Sequence, residues 1–184
     1  MKKAFTILMA AVMLFVLSAS AFAAATTENV LNWTDVEADV EKAGMDAGFV
    51  QIGDMNLKMW LPSVFKEEEL TEEDIENGYI AYLVTKDNAE IISIMSVDIG
   101  ASLEAWEKEL PDYGVTDAEM GIINGFKALI YSVPEDDTMC VDFEADSGEI
   151  LEFTFYPMSD EEFASVASLI TMSLQPIEKS DMQI

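Results

Sequence analysis

The sequence predicts a single α+β domain, made of one antiparallel β-sheet of about six to eight strands with helices packed on it. Short segments rich in β-branched and aromatic residues recur along the chain, separated by turn residues. Asn124-Gly125 and Ser147-Gly148 each lie between two such segments, as in tight hairpins. Helical spacing of apolar residues is confined to separate stretches near both ends and in the middle, which favours an α+β rather than an alternating α/β order.

The first residues carry the pattern of an export signal. Lys2 and Lys3 precede an apolar run over residues 4–17, and the small-x-small pattern at residues 21–23 predicts cleavage after Ala23. The apolar run is too short to cross a bilayer comfortably, so we expect no stable membrane anchor after cleavage. We therefore expect a protein that is secreted, or periplasmic and envelope-side. The predicted division is a signal peptide over 1–23, a flexible leader over 24–32, the single domain over 33–176 and a C-terminal tail over 177–184.

The first half of the domain predicts helices and two strand pairs. Residues 33–45 and 102–110 have helical spacing, and the second of these helices is capped by Ser102 and ends before Pro111. Strands are predicted over the following segments: 49–52, 57–61, 79–85 and 90–97. The last two are apolar on both faces, which predicts central strands covered on each side.

The second half predicts two hairpins and a closing helix. Strands are expected over 119–123, 126–133, 138–145 and 149–156. In the last strand Glu152 and Thr154 alternate with apolar residues, so this hairpin is expected to have a wetter side. Residues 159–174 predict a helix that begins with a capping box of Ser159 and Glu162.

The charge of the chain is extreme. Nine lysines, no arginine and no histidine stand against 36 acidic residues, and the formal net charge is −27. Such a field repels phosphate backbones, so nucleic acid is excluded as a partner, whereas cations and basic partners are attracted. The simpler interpretation is that the charge keeps the exported protein soluble.

Composition also excludes most catalytic centres. Without histidine, Ser-His-Asp and Cys-His arrangements cannot exist, and zinc sites lack their usual ligands. No glycine-rich phosphate loop is present. We expect no catalytic residue and no cofactor, with calcium as the one metal worth considering.

An acidic segment over residues 66–77 is the densest group of oxygen ligands. Its candidates for a weak calcium site are Glu67, Glu68, Glu72, Glu73 and Asp74. The spacing fits no known calcium loop, and a run of this kind is usually a solvated face. A hydrolase that uses a carboxylate pair is the enzymatic alternative.

Aromatic residues and the single cysteine complete the candidates. Trp60, Tyr113 and Tyr156 could anchor a peptide or a sugar, although we expect Trp60 and Trp106 to lie under helices. Cys140 cannot form an intramolecular disulfide, and it shares a strand face with Asp142 that a helix could cover.

The order of elements resembles the PsbP-like family of small exported proteins. Residues 57–62 followed by Phe65, the hairpin from Asn124 to Ala128, and the closing helix over 159–174 carry the likeness, which spans roughly residues 49–174. The acidic segment and the missing lipidation cysteine depart from the family. A cystatin-like or nuclear transport factor 2-like curved sheet is the alternative. The resemblance implies a non-catalytic accessory role in which no functional residue carries over.

Together these observations predict an exported, non-catalytic binding or accessory module that recognises a protein partner or cell-envelope component. The alternatives are a weak calcium-binding protein and a carboxylate-based hydrolase. The sequence leaves the ligand undefined.

Overall fold

A computed structural model describes residues 29–99, 102–144 and 148–177. The predicted signal peptide, the leader up to residue 28, Ser147 of the second turn and the tail from residue 178 lie outside these residues. The described part contains an eight-stranded sheet and a three-stranded sheet with helices packed on them, which confirms the single α+β domain.

The elements follow one another along the chain with short connections. The strands are β1 (Asn29–Leu31), β2 (Ala47–Gln51), β3 (Leu57–Pro62), β4 (Lys66–Glu67), β5 (Tyr79–Val84), β6 (Ile91–Val97), β7 (Glu119–Ile123), β8 (Phe126–Val133), β9 (Thr138–Glu144), β10 (Ile150–Tyr156) and β11 (Gln175–Pro176). The α-helices are α1 (Glu37–Ala43), α2 (Glu72–Glu76), α3 (Leu103–Glu109) and α4 (Glu161–Ser173).

The large sheet has the strand order β1-β7-β8-β9-β10-β6-β5-β4, and the small sheet has the order β11-β3-β2. All pairs are antiparallel except β1 with β7, which is parallel. The flexible leader predicted over residues 24–32 is therefore wrong at its end. Asn29 to Leu31 pair with Gly121 to Ile123 and extend the edge of the large sheet.

The main core lies between one face of the large sheet and a layer formed by α4, α1 and the small sheet. Its largest fully buried side chains include Phe143, Phe153, Phe155 and Phe163. Alternation along β9 and β10 directs Phe143, Phe153 and Phe155 to this side. The backbone N–H of Trp60 donates to Ser173 Oγ at 2.8 Å and ties β3 to the end of α4.

Helix ends differ from the prediction in two places. The predicted helix over 33–45 is a 3-10 turn (Trp33–Asp35) followed by α1, which ends at Gly44 in the left-handed conformation. The N-cap of α4 is Asp160, whose carboxylate accepts from the backbone N–H of Glu162 and Phe163. The predicted capping box of Ser159 is therefore wrong, because Ser159 donates instead to the Asp137 carboxylate.

Strands β5 and β6 are not the doubly covered central pair that the sequence predicts. β5 lies next to the edge strand β4. Ile92 and Ile94 are fully buried on the core side, whereas Ser93 and Met95 on the opposite side are half-buried. The described residues therefore cover this side of the large sheet only in part. Over the described residues, no helix is long and apolar enough to cross a membrane.

Candidate functional site

A row of polar side chains crosses the second face of the large sheet. In the register of the strands, Tyr82 pairs with Ser93, Ser93 with Thr154, Thr154 with Cys140, and Cys140 with Tyr131. Residues that pair directly across a ladder direct their side chains to the same face. We call these five residues the polar row.

Two acids lie side by side in the next row of the same face. Asp142 on β9 pairs with Glu152 on β10, and Glu152 pairs with Met95 on β6. We call Asp142 and Glu152 the acid pair. Asp142 is 0% exposed, whereas Glu152 is half-buried and lies where the cover of the sheet ends.

Helix α3 and the 3-10 turn that follows it (Leu110–Tyr113) cover only part of this face. Leu103 and Leu110 are buried together with Leu129, Tyr131 and Cys140 in a second, smaller core. Trp106 packs against Tyr113 with 5.4 Å between ring centroids and 52° between ring planes, and its indole faces Asp142 of the sheet.

Ion pairs attach α3 to the sheet. Lys127 Nζ lies 2.9 Å from a Glu104 carboxylate oxygen and 2.8 Å from one of Glu144. These contacts lower the pKa of Glu104 and raise that of Lys127. The cover is therefore joined to the β8–β9 side of the sheet.

Beyond the cover, the β10–β6–β5 side of the face remains partly accessible. Tyr156 is 41% exposed, and the neighbouring side chains are half-buried. We call this surface the open face; its members are Tyr82, Ser93, Met95, Glu152, Thr154 and Tyr156.

Hydrogen bonds connect the covered and open parts of the face. The Tyr131 hydroxyl donates to Glu152 at 3.2 Å, and the Thr154 hydroxyl donates to the same carboxylate at 3.4 Å. Cys140 Sγ lies 3.8 Å from Thr154 Oγ1. Within the described residues, neither carboxylate oxygen of Asp142 has a hydrogen-bond partner of normal geometry. Asp142 is thus a buried acid whose nearest donor, the Trp106 indole, does not reach hydrogen-bond geometry.

Three acidic groups of this face have raised pKa values, so they ionise less readily than in water. Burial, and then the charge of Glu152, raise the pKa of Asp142 to about 8, while the Trp106 indole acts in the opposite direction. Burial and then Glu152 also raise the pKa of the Cys140 thiol to about 12. The pKa of the Tyr131 hydroxyl is raised by burial and by Asp142. The face therefore favours neutral donors and positive charge over anions.

Of the aromatic candidates, two lie at this face and one does not. Tyr156 belongs to the open face, and Tyr113 is 69% exposed at the end of the cover. Trp60 is only 5% exposed, because it packs in the main core with Trp33 at 5.9 Å between ring centroids. The burial of Trp60 leaves it out of any surface site.

The acidic segment lies beside the outer end of the open face. Thr71 and Asp74 form a capping box at the start of α2, so the Asp74 carboxylate is already bound by the Thr71 hydroxyl and N–H. Burial raises the pKa of Tyr82, followed by the charges of Glu68, Tyr79 and Asp74. This places negative charge next to Tyr82.

The calcium candidates do not converge on one point. Glu67 lies in β4, Glu72 and Glu73 lie on α2, and Glu68 follows the strand. In the part of the chain that the structure describes, no group of three or more Asp, Glu, Cys or His residues could hold a metal ion.

The acid pair and the role of Tyr131 were not predicted from the sequence. The position of Cys140 beside Asp142 on one strand face and the wetter side of β10 were both predicted. Pairing the predicted strand ends, residues 145 and 149, would have placed Asp142 opposite Glu152, whereas a two-residue turn at Ser147-Gly148 places it opposite Phe153. The placement of α3 over them depends on packing between distant residues, for which the sequence contains no signal.

Comparisons with known proteins find a similarity in structure. No protein-family model matches the chain, and no curated protein matches it either. Among solved structures, the solution structure of cyanobacterial PsbP (CyanoP) from Synechocystis sp. PCC 6803 is similar, with 12% sequence identity and a TM-score of 0.44. The match covers 72% of this chain and 93% of that one. The chain thus has a weak PsbP-like resemblance in fold, which says nothing about activity.

Proposed function

We propose that this protein is a non-catalytic binding or accessory module. It holds a positively charged segment of a protein partner or of a cell-envelope component on the open face. The observation that supports this is the incomplete cover of the large sheet, which leaves aromatic, hydroxyl and carboxylate groups accessible together. The location outside the cytoplasm, predicted from residues 1–23, is part of the same proposal.

The side chains of the open face suit a basic partner. Tyr82 and Tyr156 offer rings for cation–π contact, and their hydroxyls can accept hydrogen bonds. Glu152 already accepts hydrogen bonds from Tyr131 and Thr154. A lysine or arginine side chain placed beside Glu152 would meet the negative charge that raises the pKa of Asp142 and of the Cys140 thiol.

The rest of the molecule supports the same preference. With a formal net charge of −27, the chain draws basic partners from a distance and repels acidic ones. Glu68 and Asp74 extend this charge to the outer end of the open face, beside Tyr82. Such fields mainly accelerate association and weaken as salt rises.

Catalysis by the acid pair is not supported by its surroundings. Asp142 is 0% exposed beneath the α3 cover, so a substrate cannot reach its carboxylate in this conformation. Only Glu152 of the pair is partly accessible. The geometry therefore supports binding at the open face rather than hydrolysis between the two acids.

The test is capture of exported and envelope proteins on the immobilised domain, with elution in rising salt. A face variant carries Tyr82→Ser, Tyr156→Ser and Glu152→Gln. It is compared with the wild type and with a control variant. Like the face variant, the control loses two large side chains and one negative charge, but at other positions on the surface. The control carries Val64→Ser, Ile75→Ser and Glu41→Gln, all at exposed positions.

We expect a partner that both the wild type and the control retain, that the face variant loses, and that moderate salt releases. Equal retention by the face variant and the control would place the binding surface elsewhere. An empty eluate from the wild type at low salt would contradict the proposal that the protein is a binding module.

A further inference from the structure

Strand β2 forms an edge of the small sheet that no other described strand covers, and this edge lies outside the open face. The two sheets end in the edge strands β1, β4, β11 and β2. β4 and β11 have two residues each, β1 has three, and β2 has five. β4 is also charged and β11 contains a proline, which are common devices against edge pairing. β2 has neither device, since its sequence is Ala-Gly-Phe-Val-Gln.

The register shows which backbone groups of β2 are free for pairing. Ser63 N–H donates to Asp46 C=O at 2.8 Å, and Ile52 N–H donates to Leu57 C=O at 3.0 Å. Because hydrogen-bonded residues alternate along an antiparallel strand, the groups that point away from β3 belong to residues between these two ends. They are the N–H and C=O of Ala47, Phe49 and Gln51.

Within the described residues, no backbone hydrogen bond to another segment reaches these outward groups. The strand also presents apolar side chains, with Phe49 40% exposed and Val50 37% exposed. The Phe49 ring is packed edge-on against Trp33 at 5.6 Å, and Lys58 Nζ lies 5.4 Å from its centroid. The edge is thus held in the extended conformation that pairing with another strand requires.

We propose that the β2 edge binds an extended segment of another protein by strand addition, and that this segment alternates apolar and basic residues. Strand addition derives its affinity from main-chain hydrogen bonds and its specificity from alternate side chains. The charge of the chain argues against a second copy as the occupant, because two chains of net charge −27 repel each other. Asp46 and Asp54, which flank β2, favour basic residues at both ends of the added strand.

The probe is a short synthetic peptide of alternating valine and lysine with blocked ends. Its matched control has the same side chains and charge but carries N-methyl groups on alternate amides, which prevents pairing with an edge strand. Binding is followed by amide chemical shifts of the labelled protein. We expect shifts at Ala47, Phe49 and Gln51 with the first peptide, and affinity lower by about tenfold or more with the methylated one.

A protein variant tests the same contact from the other side. Gln51→Pro removes one outward N–H and leaves the ladder to β3 intact, since proline is tolerated where a strand N–H faces solvent. Gln51→Ala is the control, because it loses the side-chain hydrogen bond to Met55 C=O but keeps the N–H. We expect Gln51→Pro to weaken peptide binding and Gln51→Ala to leave it unchanged. If Gln51→Pro does not fold, the methylated peptide still decides the question on the wild type.

Three results would overturn the proposal. Equal affinity for both peptides would show that charge alone attracts them, and shifts confined to other strands would place the peptide elsewhere. A wild-type dimer in sedimentation that Gln51→Pro abolishes would make a second copy the occupant. Each result is independent of the capture on the open face, whose variants leave β2 unchanged.

Discussion

Replacing Asp142 by asparagine should change how the stability of the domain depends on pH. The carboxyl is 0% exposed and faces Glu152 from β10, Tyr131 from β8, Cys140 from its own strand and Trp106 from α3. Since none of these four side chains carries a positive charge, burial of the ionised form is costly. Asparagine has nearly the same shape and cannot ionise.

The sign and size of this pH dependence follow from the pKa of Asp142 in the unfolded chain and in the folded protein. The pKa of Asp142 is raised from 3.8 to about 8. The folded protein therefore keeps a proton that the unfolded chain releases, so stability is present at low pH and is lost as pH rises through this window. At about 1.4 kcal/mol per pH unit, the wild type loses about 4 kcal/mol of unfolding free energy from this group between about pH 4 and about pH 7.

The assay is urea unfolding of the wild type and Asp142→Asn at intervals of pH. All other carboxylates are common to both proteins, so the difference between the two curves reports on Asp142. We expect this difference to move by about 4 kcal/mol in favour of asparagine between about pH 4 and about pH 7. A difference that stays constant with pH would refute the reasoning, since it would mean that Asp142 ionises freely in the folded protein.

Further predictions concern a turn, a hairpin and the thiol. Gly78 has φ +91°, and a Cβ there would lie 2.6 Å from the Ser96 carbonyl oxygen, so Gly78→Ala should lower the unfolding free energy by about 3 kcal/mol. Gly114 has a similar φ of +86° but open space around it, so Gly114→Ala should lower the unfolding free energy by only about 1 kcal/mol. Urea unfolding measures both values. The Asn124 side chain accepts from Trp33 N–H and donates to the carbonyls of the α4 end, so Asn124→Ala should lower the unfolding free energy by about 3 kcal/mol. Asn124→Gly should be about 1 kcal/mol more stable than Asn124→Ala, because glycine adopts the φ of +47° at this position without strain. Equal losses of unfolding free energy in the two variants would contradict this prediction. Cys140 is buried, and its thiol has a pKa of about 12. Iodoacetamide should therefore label it about 100-fold more slowly in the native protein than in urea. Equal labelling rates would show that the α3 cover opens freely.

Local signals in the sequence predicted most elements of the fold. Asn124-Gly125 does turn between β7 and β8, and Ser102 does cap α3 through the Ala105 N–H. These features depend on neighbouring residues alone, so pattern and turn chemistry suffice to predict them.

Features that depend on distant residues were not predicted. The pairing of β1 with β7 joins residues that are far apart in the sequence, and nothing near Asn29 indicates it. Similarly, Ser159 has the pattern of an N-cap, but Asp137 from a distant loop binds its hydroxyl and leaves Asp160 as the cap. Tertiary contacts override local preference in both cases.

The candidate site shows the same division. The aromatic positions Tyr113 and Tyr156 and the polar side of β10 were recognisable in the sequence. The burial of Asp142 was not, because it requires α3 to pack over β9. The open face likewise depends on how far that short helix reaches, since among the described residues it leaves the β5–β6 side of the sheet partly exposed.

The most direct test of the open face as the binding surface is photo-crosslinking from inside it. A photoreactive amino acid is placed at position 93, where half-buried Ser93 lies between Tyr82 and Thr154. A second protein carries it at position 75, where Ile75 is 61% exposed on α2. We predict that the protein labelled at position 93 crosslinks a basic exported or envelope protein and that the one labelled at position 75 does not. Crosslinking to that partner from position 75 but not from position 93 would contradict the assignment of the open face as the binding surface.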